Sequence, residues 1–242
     1  MSVGVQLRWL EQTQVEVPFD DEWLTEAERS RMQSLRIEKR RNDWRLGRWT
    51  AKRAVAAYFH WPIEDVQQIE IRAQPSGAPE VILPHRQAPP TISISHCGGV
   101  ALCVVGPPSA AIGCDLEQVR QRDSSFSQTF FTEREQQQLR QRHGDEGFLL
   151  ETIIWSAKES YLKATQQGLR RDTREVEVDV AEKFTAEAET TWLPLIIHSS
   201  GHTTAGFWLL NERKVRTLLT IPCSGPISPL ELCNKLSCAG GE

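Results

Sequence analysis

The chain lacks any hydrophobic run approaching the about eighteen consecutive apolar residues of a spanning helix, and its opening stretch, MSVGVQLRWLEQTQVEV, has neither a basic leader nor a cleavable apolar segment. Both absences argue against a membrane or secreted protein and predict a soluble, cytoplasmic one. Cysteine pattern is missing too. Cys97, Cys103, Cys114, Cys223, Cys233 and Cys238 form no C-x-x-C pair and keep no histidine at zinc-site spacing, so neither a zinc site nor a disulfide framework is indicated. Nor is there a strong excess of one charge: 28 basic against 32 acidic residues leave −4, with a pI near 5.9. That argues against a protein that coats nucleic acid through its overall charge.

What is present is an ordinary globular composition, 39% hydrophobic and 25% charged, over 242 residues, enough for one large domain or two small ones. The charge is unevenly placed. From Arg29 to Arg53 ten basic residues face only Glu38 and Asp43. VQLRWLEQTQVEV reads as a strand with Val5, Leu7 and Trp9 alternating against polar neighbours. Thr25 with Glu28 forms a capping-box signature that opens the first of two helices. The second helix, about residues 42–59, is expected to turn Trp44 or Leu46, Trp49 and Val55 inward and to set Arg45, Arg48 and Lys52 as a basic stripe on another face.

Further along, VQQIEIRA reads as a short strand, and TISISH and VALCVVG as a β-pair turned by CGG. PPSAA marks the boundary between halves. FSQTFFTEREQQQLRQ reads as a helix announced by Thr132 with Glu135 at the capping-box position, and EGFLLETIIWSAKESYLKATQQ as a long helix ended by Gly168. Strands from EVEVDVA to VRTLLTIP finish the fold. Helices interleaved with hairpin strands predict an α+β class. The expected divisions are an N-terminal subdomain 1–108, a C-terminal subdomain 109–225, and a poorly ordered tail 226–242.

In AAIGCDLEQV, Asp115 and Glu117 are two residues apart on a strand, so they share a face and repel unless a cation or donor lies between them. Hard oxygen ligands of this kind suit magnesium, which completes its shell with water and phosphate oxygens. In WSAKESYLKATQQGL, Glu159 and Lys163 stand at i, i+4 with Trp155 one turn earlier on the same side. These groups, the dipeptide Ser95-His96 at a strand end, and the basic helix together describe a clamp for a polyphosphate and a magnesium ion.

The segments ISISHCGGVALCVVG, IGCDLE, FFTEREQQQL and WSAKESYLKATQQGL, in this order, resemble the Sfp-type (surfactin-synthetase-type) 4′-phosphopantetheinyl transferases; DWRLGRWTAK resembles the family's N-terminal coenzyme A segment. The resemblance implies a pseudo-twofold arrangement of two similar subdomains, each a small, mainly antiparallel sheet packed with helices. It also implies transfer of the phosphopantetheine arm of coenzyme A to a serine of an apo acyl or peptidyl carrier protein, releasing adenosine 3′,5′-bisphosphate. Asp115, Glu117 and Glu159 would be the magnesium ligands, with manganese as an alternative ion. Ser95 and His96 would hold phosphates, Lys158 and Lys163 would belong to the W-x-x-K-E-x-x-x-K element with Lys163 on the pyrophosphate, and Arg45, Arg48 and Lys52 would complete the anion cradle. Glu159 or Glu135 would accept the serine proton. A monomer is expected, without nucleic-acid or membrane partners, serving fatty-acid, polyketide or nonribosomal peptide carriers.

The chain departs from the family at Gly77-Ala78-Pro79, where many relatives carry G-K-P; one phosphate contact is then either missing or supplied by another basic residue such as Arg86. Phe126, Phe130 and Phe131 fit either a carrier-docking surface or the core. Two rival readings stay open: a nucleic-acid-binding module using the basic segment, and another magnesium-dependent phosphoryl enzyme.

Overall fold

The computed structural model describes residues 7–84, 88–108, 110–180 and 192–221. Arg86 and the tail 226–242 lie outside the described residues. Contacts divide the chain between Ala110 and Ala111 into two units.

In the first unit, β1 (Arg8–Thr13), β5 (Val100–Gly106) and β4 (Thr91–Cys97) make an antiparallel sheet in the order β1-β5-β4, and β2 (Glu70–Ala73) pairs with β3 (Pro79–Ile82) as a separate hairpin. The apolar run VALCVVG becomes the central strand and is buried along its whole length. Gly98 and Gly99, both at positive φ, turn β4 into β5 as CGG predicts. Two helices follow β1: α1 (Glu26–Gln33), opened by the expected Thr25–Glu28 capping box, and α2 (Glu38–Tyr58). α2 packs on β1, β4 and β5 through Leu46, Trp49, Val55 and a row of alanines.

Two local expectations change. The buried side of β1 carries Leu10 and Gln12, whereas Trp9 is half-buried; Leu7, just before the strand, is fully buried. The VQQ of VQQIEIRA belongs to a 3-10 turn, Ile63–Gln68, that Pro62 opens; only Glu70–Ala73 is strand.

The second unit is a five-stranded antiparallel sheet in the order β6-β10-β9-β8-β7, formed by β6 (Ala111–Gln118), β7 (Val176–Val180), β8 (Leu193–Ser199), β9 (His202–Asn211) and β10 (Lys214–Ile221). Its helices are α3 (Ser124–Phe130), α4 (Glu133–Arg140) and α5 (Gly144–Ala164). FSQTFFTEREQQQLRQ is therefore two helices rather than one. Asp123 caps the first, Phe131 breaks out into extended backbone, and Thr132 caps the second with Glu135 closing the box.

α5 lies against β6, β10 and β7. It ends at Ala164, earlier than Gly168. Gln166 takes the left-handed conformation at φ 55, the Gln167 amide bonds back to the Leu162 carbonyl and the Gln166 amide to that of Lys163, a Schellman closure without glycine. The architecture is α+β, with an antiparallel sheet packed by helices in each unit.

Candidate active site

Gly113, Asp115 and Glu117 share the face of β6 on which α5 rests. A Cβ at Gly113 would sit 1.7 Å from the Ser160 carbonyl oxygen, so only glycine admits the helix at this distance. Thr217, which is opposite Asp115 in the sheet, has its hydroxyl 2.9 Å from that of Ser156 and 2.6 Å from that of Ser160. Close approach and this hydroxyl cluster fix the height of α5 along the strand.

Trp155, Glu159 and Lys163 then form one stripe over the two carboxylates. Lys163 Nζ donates to Asp115 Oδ1 at 2.7 Å and to the Cys114 carbonyl at 3.1 Å. Trp155 Nε1 donates to Glu117 Oε1 at 3.3 Å. Arg122, absent from the sequence-derived set, approaches Glu117 Oε2 at 3.4 Å and donates to the Thr152 hydroxyl at 3.0 Å. Its loop position in VRQRDS has no periodic signal that would single it out.

Electrostatics sharpen the arrangement. Burial pushes the Glu117 carboxyl up and Asp115 adds to the shift, against Arg122. Burial also raises Glu159; Lys163 opposes this, while Asp115 and Glu117 push the same way. The Lys163 ammonium would be lowered by burial alone, but the charge of Asp115 and the bond to it hold it above its ordinary value. Glu159 Oε1 is buried with no hydrogen-bond partner among the described residues. The donor chemistry thus fits a hard divalent cation: oxygen ligands only, one of them unsatisfied, with mutual repulsion that a cation relieves. In the side-chain positions seen here Asp115 turns to Lys163 and Glu117 to Trp155, and among the described residues no three metal-type side chains converge.

Two expected site residues of this unit are placed elsewhere. Glu135 and Lys158 are fully buried and paired at 2.8 Å. Glu135 also accepts from the Thr132 and Val178 amides, and Lys158 donates to the Thr173 and Val176 carbonyls. Burial pushes the Glu135 carboxyl up and the Lys158 ammonium down, each against the pull of its partner. With every donor and acceptor engaged and no exposed surface, neither can meet a ligand, which corrects the roles of base and anion binder. Phe131 is fully buried, and the Phe126 and Phe130 rings each lie 5.0 Å from the Trp155 ring within the core cluster. Phe126 and Phe130, both half-buried, pack their rings on Trp155, and Phe131 belongs to the core.

In the first unit, a groove of about 400 Å³ is lined by Trp44, Gly47 and Arg48 of α2, by Gly77 and Pro79 of the β2–β3 hairpin, and by His96 of β4, among others. Arg48 lies 4.9 Å from the Trp44 ring centroid, and its Nε is buried without a partner among the described residues. Burial lowers its guanidinium, Glu28 opposing. His96 is exposed and Ser95, its neighbour on the strand, is buried, so the two side chains lie on opposite faces and do not share one phosphate.

The expected basic stripe is largely turned inward. Arg45 donates to the Pro18 and Asp20 carbonyls at 2.7 and 3.0 Å and pairs with Asp21 at 2.9 Å. Lys52 is fully buried, 2.6 Å from both Glu28 Oε2 and the Trp23 carbonyl. Both are committed to holding the segment around residues 18–28, and of the three only Arg48 reaches the groove.

A helix-crossed antiparallel sheet with acidic and basic side chains gathered at β6 and α5 is the setting in which the sequence comparisons fall. Residues 111–208 match the family model of the 4′-phosphopantetheinyl transferase superfamily. The chain is also 32% identical over 100 residues to the 4′-phosphopantetheinyl transferase HetI of Nostoc sp., covering 40% of this chain and 41% of that protein. A Bacillus subtilis 4′-phosphopantetheinyl transferase is 32% identical over 77 residues, 32% of this chain and 34% of its own. The Synechocystis sp. protein slr0495, provisionally named for the same activity, is 30% identical over 105 residues, 43% of this chain and 42% of that protein. The matched stretches thus span about two fifths or less of these relatives. The stretch that matches the superfamily model lies in the second unit, and the carboxylates, Trp155, Lys163 and Arg122 all fall within it.

Proposed function

We propose that the protein is an Sfp-type 4′-phosphopantetheinyl transferase that moves the phosphopantetheine arm of coenzyme A onto a serine of an apo acyl or peptidyl carrier protein and releases adenosine 3′,5′-bisphosphate. The observation that carries this reading is the β6–α5 cluster. Asp115, Glu117, Glu159 and Lys163 are brought together by Gly113 and Thr217 inside the stretch that matches the superfamily.

Asp115, Glu117 and Glu159 would hold magnesium, which when bound supplies charge neutralisation at the pyrophosphate of coenzyme A. Lys163, a cation held against Asp115 within the cluster, would bring its charge to the same anion. Of the two carboxylates first considered as proton acceptor, Glu159 is the one not already satisfied. Its raised carboxyl is suited to take the proton of the attacking serine. Arg48 and His96 in the groove of the first unit are assigned to the phosphates of the nucleotide end of coenzyme A, with Trp44 as an apolar wall. The internal engagement of Arg45 and Lys52 removes these two from any nucleic-acid surface on the basic segment. Incubation with coenzyme A, magnesium and an apo carrier tests the reading: the carrier must gain the mass of one phosphopantetheine arm.

A further inference from the structure

The same buried device occurs twice. In the first unit Glu28 closes the cap of α1 by accepting from the Thr25 amide, pairs with Lys52 of α2, and accepts from the Ile71 amide of β2. In the second, Glu135 closes the cap of α4 by accepting from the Thr132 amide, pairs with Lys158 of α5, and accepts from the Val178 amide of β7. The strand amide lies 43 residues after the glutamate in both. Each lysine also donates to backbone carbonyls, Trp23 in one case and Thr173 and Val176 in the other. Each ammonium stands 5.6 Å from the centroid of an aromatic ring, Trp23 or Phe131.

Three backbone partners surround the first ion pair and four the second, yet stability alone does not call for either pair, since well-packed apolar residues of similar volume often do as well or better. What the pair provides is position. Glu28 ties α2 to β2, and these are two walls of the groove: α2 brings Trp44 and Arg48, and the hairpin that β2 opens brings Gly77 and Pro79. Arg48 stands one helical turn from Lys52. Glu135 ties α5 to β7, and Lys158 immediately precedes Glu159 and lies between Trp155 and Lys163 on the helix. We infer that Glu28–Lys52 and Glu135–Lys158 are duplicated positioning struts, one setting the width of the groove around Arg48 and His96, the other setting the register of α5 that presents Glu159 and Lys163. The assignment of ligands to these two places rests on the function proposed above.

The test uses the full chain and two double variants, Glu28→Gln with Lys52→Met and Glu135→Gln with Lys158→Met. Each removes both charges together and so avoids the strongly destabilising lone buried charge of a single change. Each is titrated calorimetrically with coenzyme A and, separately, with Mn²⁺, neither of which needs a carrier, and KM for coenzyme A and kcat are then measured. The first variant should lose about 10- to 100-fold in coenzyme A affinity and raise KM, with Mn²⁺ affinity and kcat held. The second should lose about 10- to 100-fold in Mn²⁺ affinity and in kcat, with KM for coenzyme A held. Folded double variants with wild-type constants throughout, or the same loss of both ligands in both variants, would overturn the inference. Double variants that do not fold would make the pairs folding requirements only and overturn it equally. A wild-type chain that binds neither ligand would instead overturn the reading of the sites.

Discussion

Lys163 Nζ lies 2.7 Å from Asp115 Oδ1, so the cation assigned to the pyrophosphate already neutralises a carboxylate assigned to the metal. Asp115 is nearly buried while the Lys163 side chain is 30% exposed, which places the pair between the surface and interior regimes. A double-mutant cycle with Asp115→Asn and Lys163→Met, followed by urea denaturation, should return a coupling of about 1–2 kcal/mol. A coupling near zero would mean that the contact is incidental.

Gly113→Ala should be among the most damaging small substitutions in the chain. The added methyl would overlap the Ser160 carbonyl, backbone rather than a flexible side chain, so α5 must move away from β6. The expected cost is roughly 3 kcal/mol, the upper end of overpacking. The Asp115–Lys163 coupling measured in the Gly113→Ala background should vanish with it.

Glu159 links stability to pH. Its carboxyl is raised by burial, with Asp115 and Glu117 adding to the effect against Lys163. A carboxyl raised on folding binds its proton more tightly in the folded state. Its contribution to stability is therefore present below the unfolded value and lost as pH rises through the folded one. With chelator present, the Tm difference between Glu159→Gln and the wild type should grow in favour of the variant as pH is raised from the ordinary carboxylate range toward neutrality. A difference that stays constant, or moves the other way, would contradict the electrostatic picture of the cluster.

Gln166 holds a left-handed backbone that glycine adopts without penalty. Gln166→Gly should raise stability by up to about 1 kcal/mol, measured by thermal denaturation, and leave turnover unchanged because only the helix end is altered.

How far these features can be read in advance depends on whether they are local. The capping boxes at Thr25–Glu28 and Thr132–Glu135 are local patterns and are present as the residues predict. That the same glutamates reach a strand amide 43 residues away is tertiary and leaves no mark at the motif. Helical spacing correctly places Arg45, Arg48 and Lys52 relative to one another, but not what covers them; the segment around residues 18–28 folds over Arg45 and Lys52 and leaves Arg48 for the groove. Alternation finds Asp115 and Glu117 on one face of β6, whereas Arg122, in an irregular stretch, is visible only once Glu117 and Thr152 are seen beside it.

The central claim is tested most directly by mass spectrometry of a panel of apo carrier proteins incubated with coenzyme A, magnesium and the protein. The account predicts a gain of one phosphopantetheine arm with the wild type, lost with Asp115→Ala and with Glu159→Ala. No gain on any carrier, or wild-type rates in both variants, would contradict it.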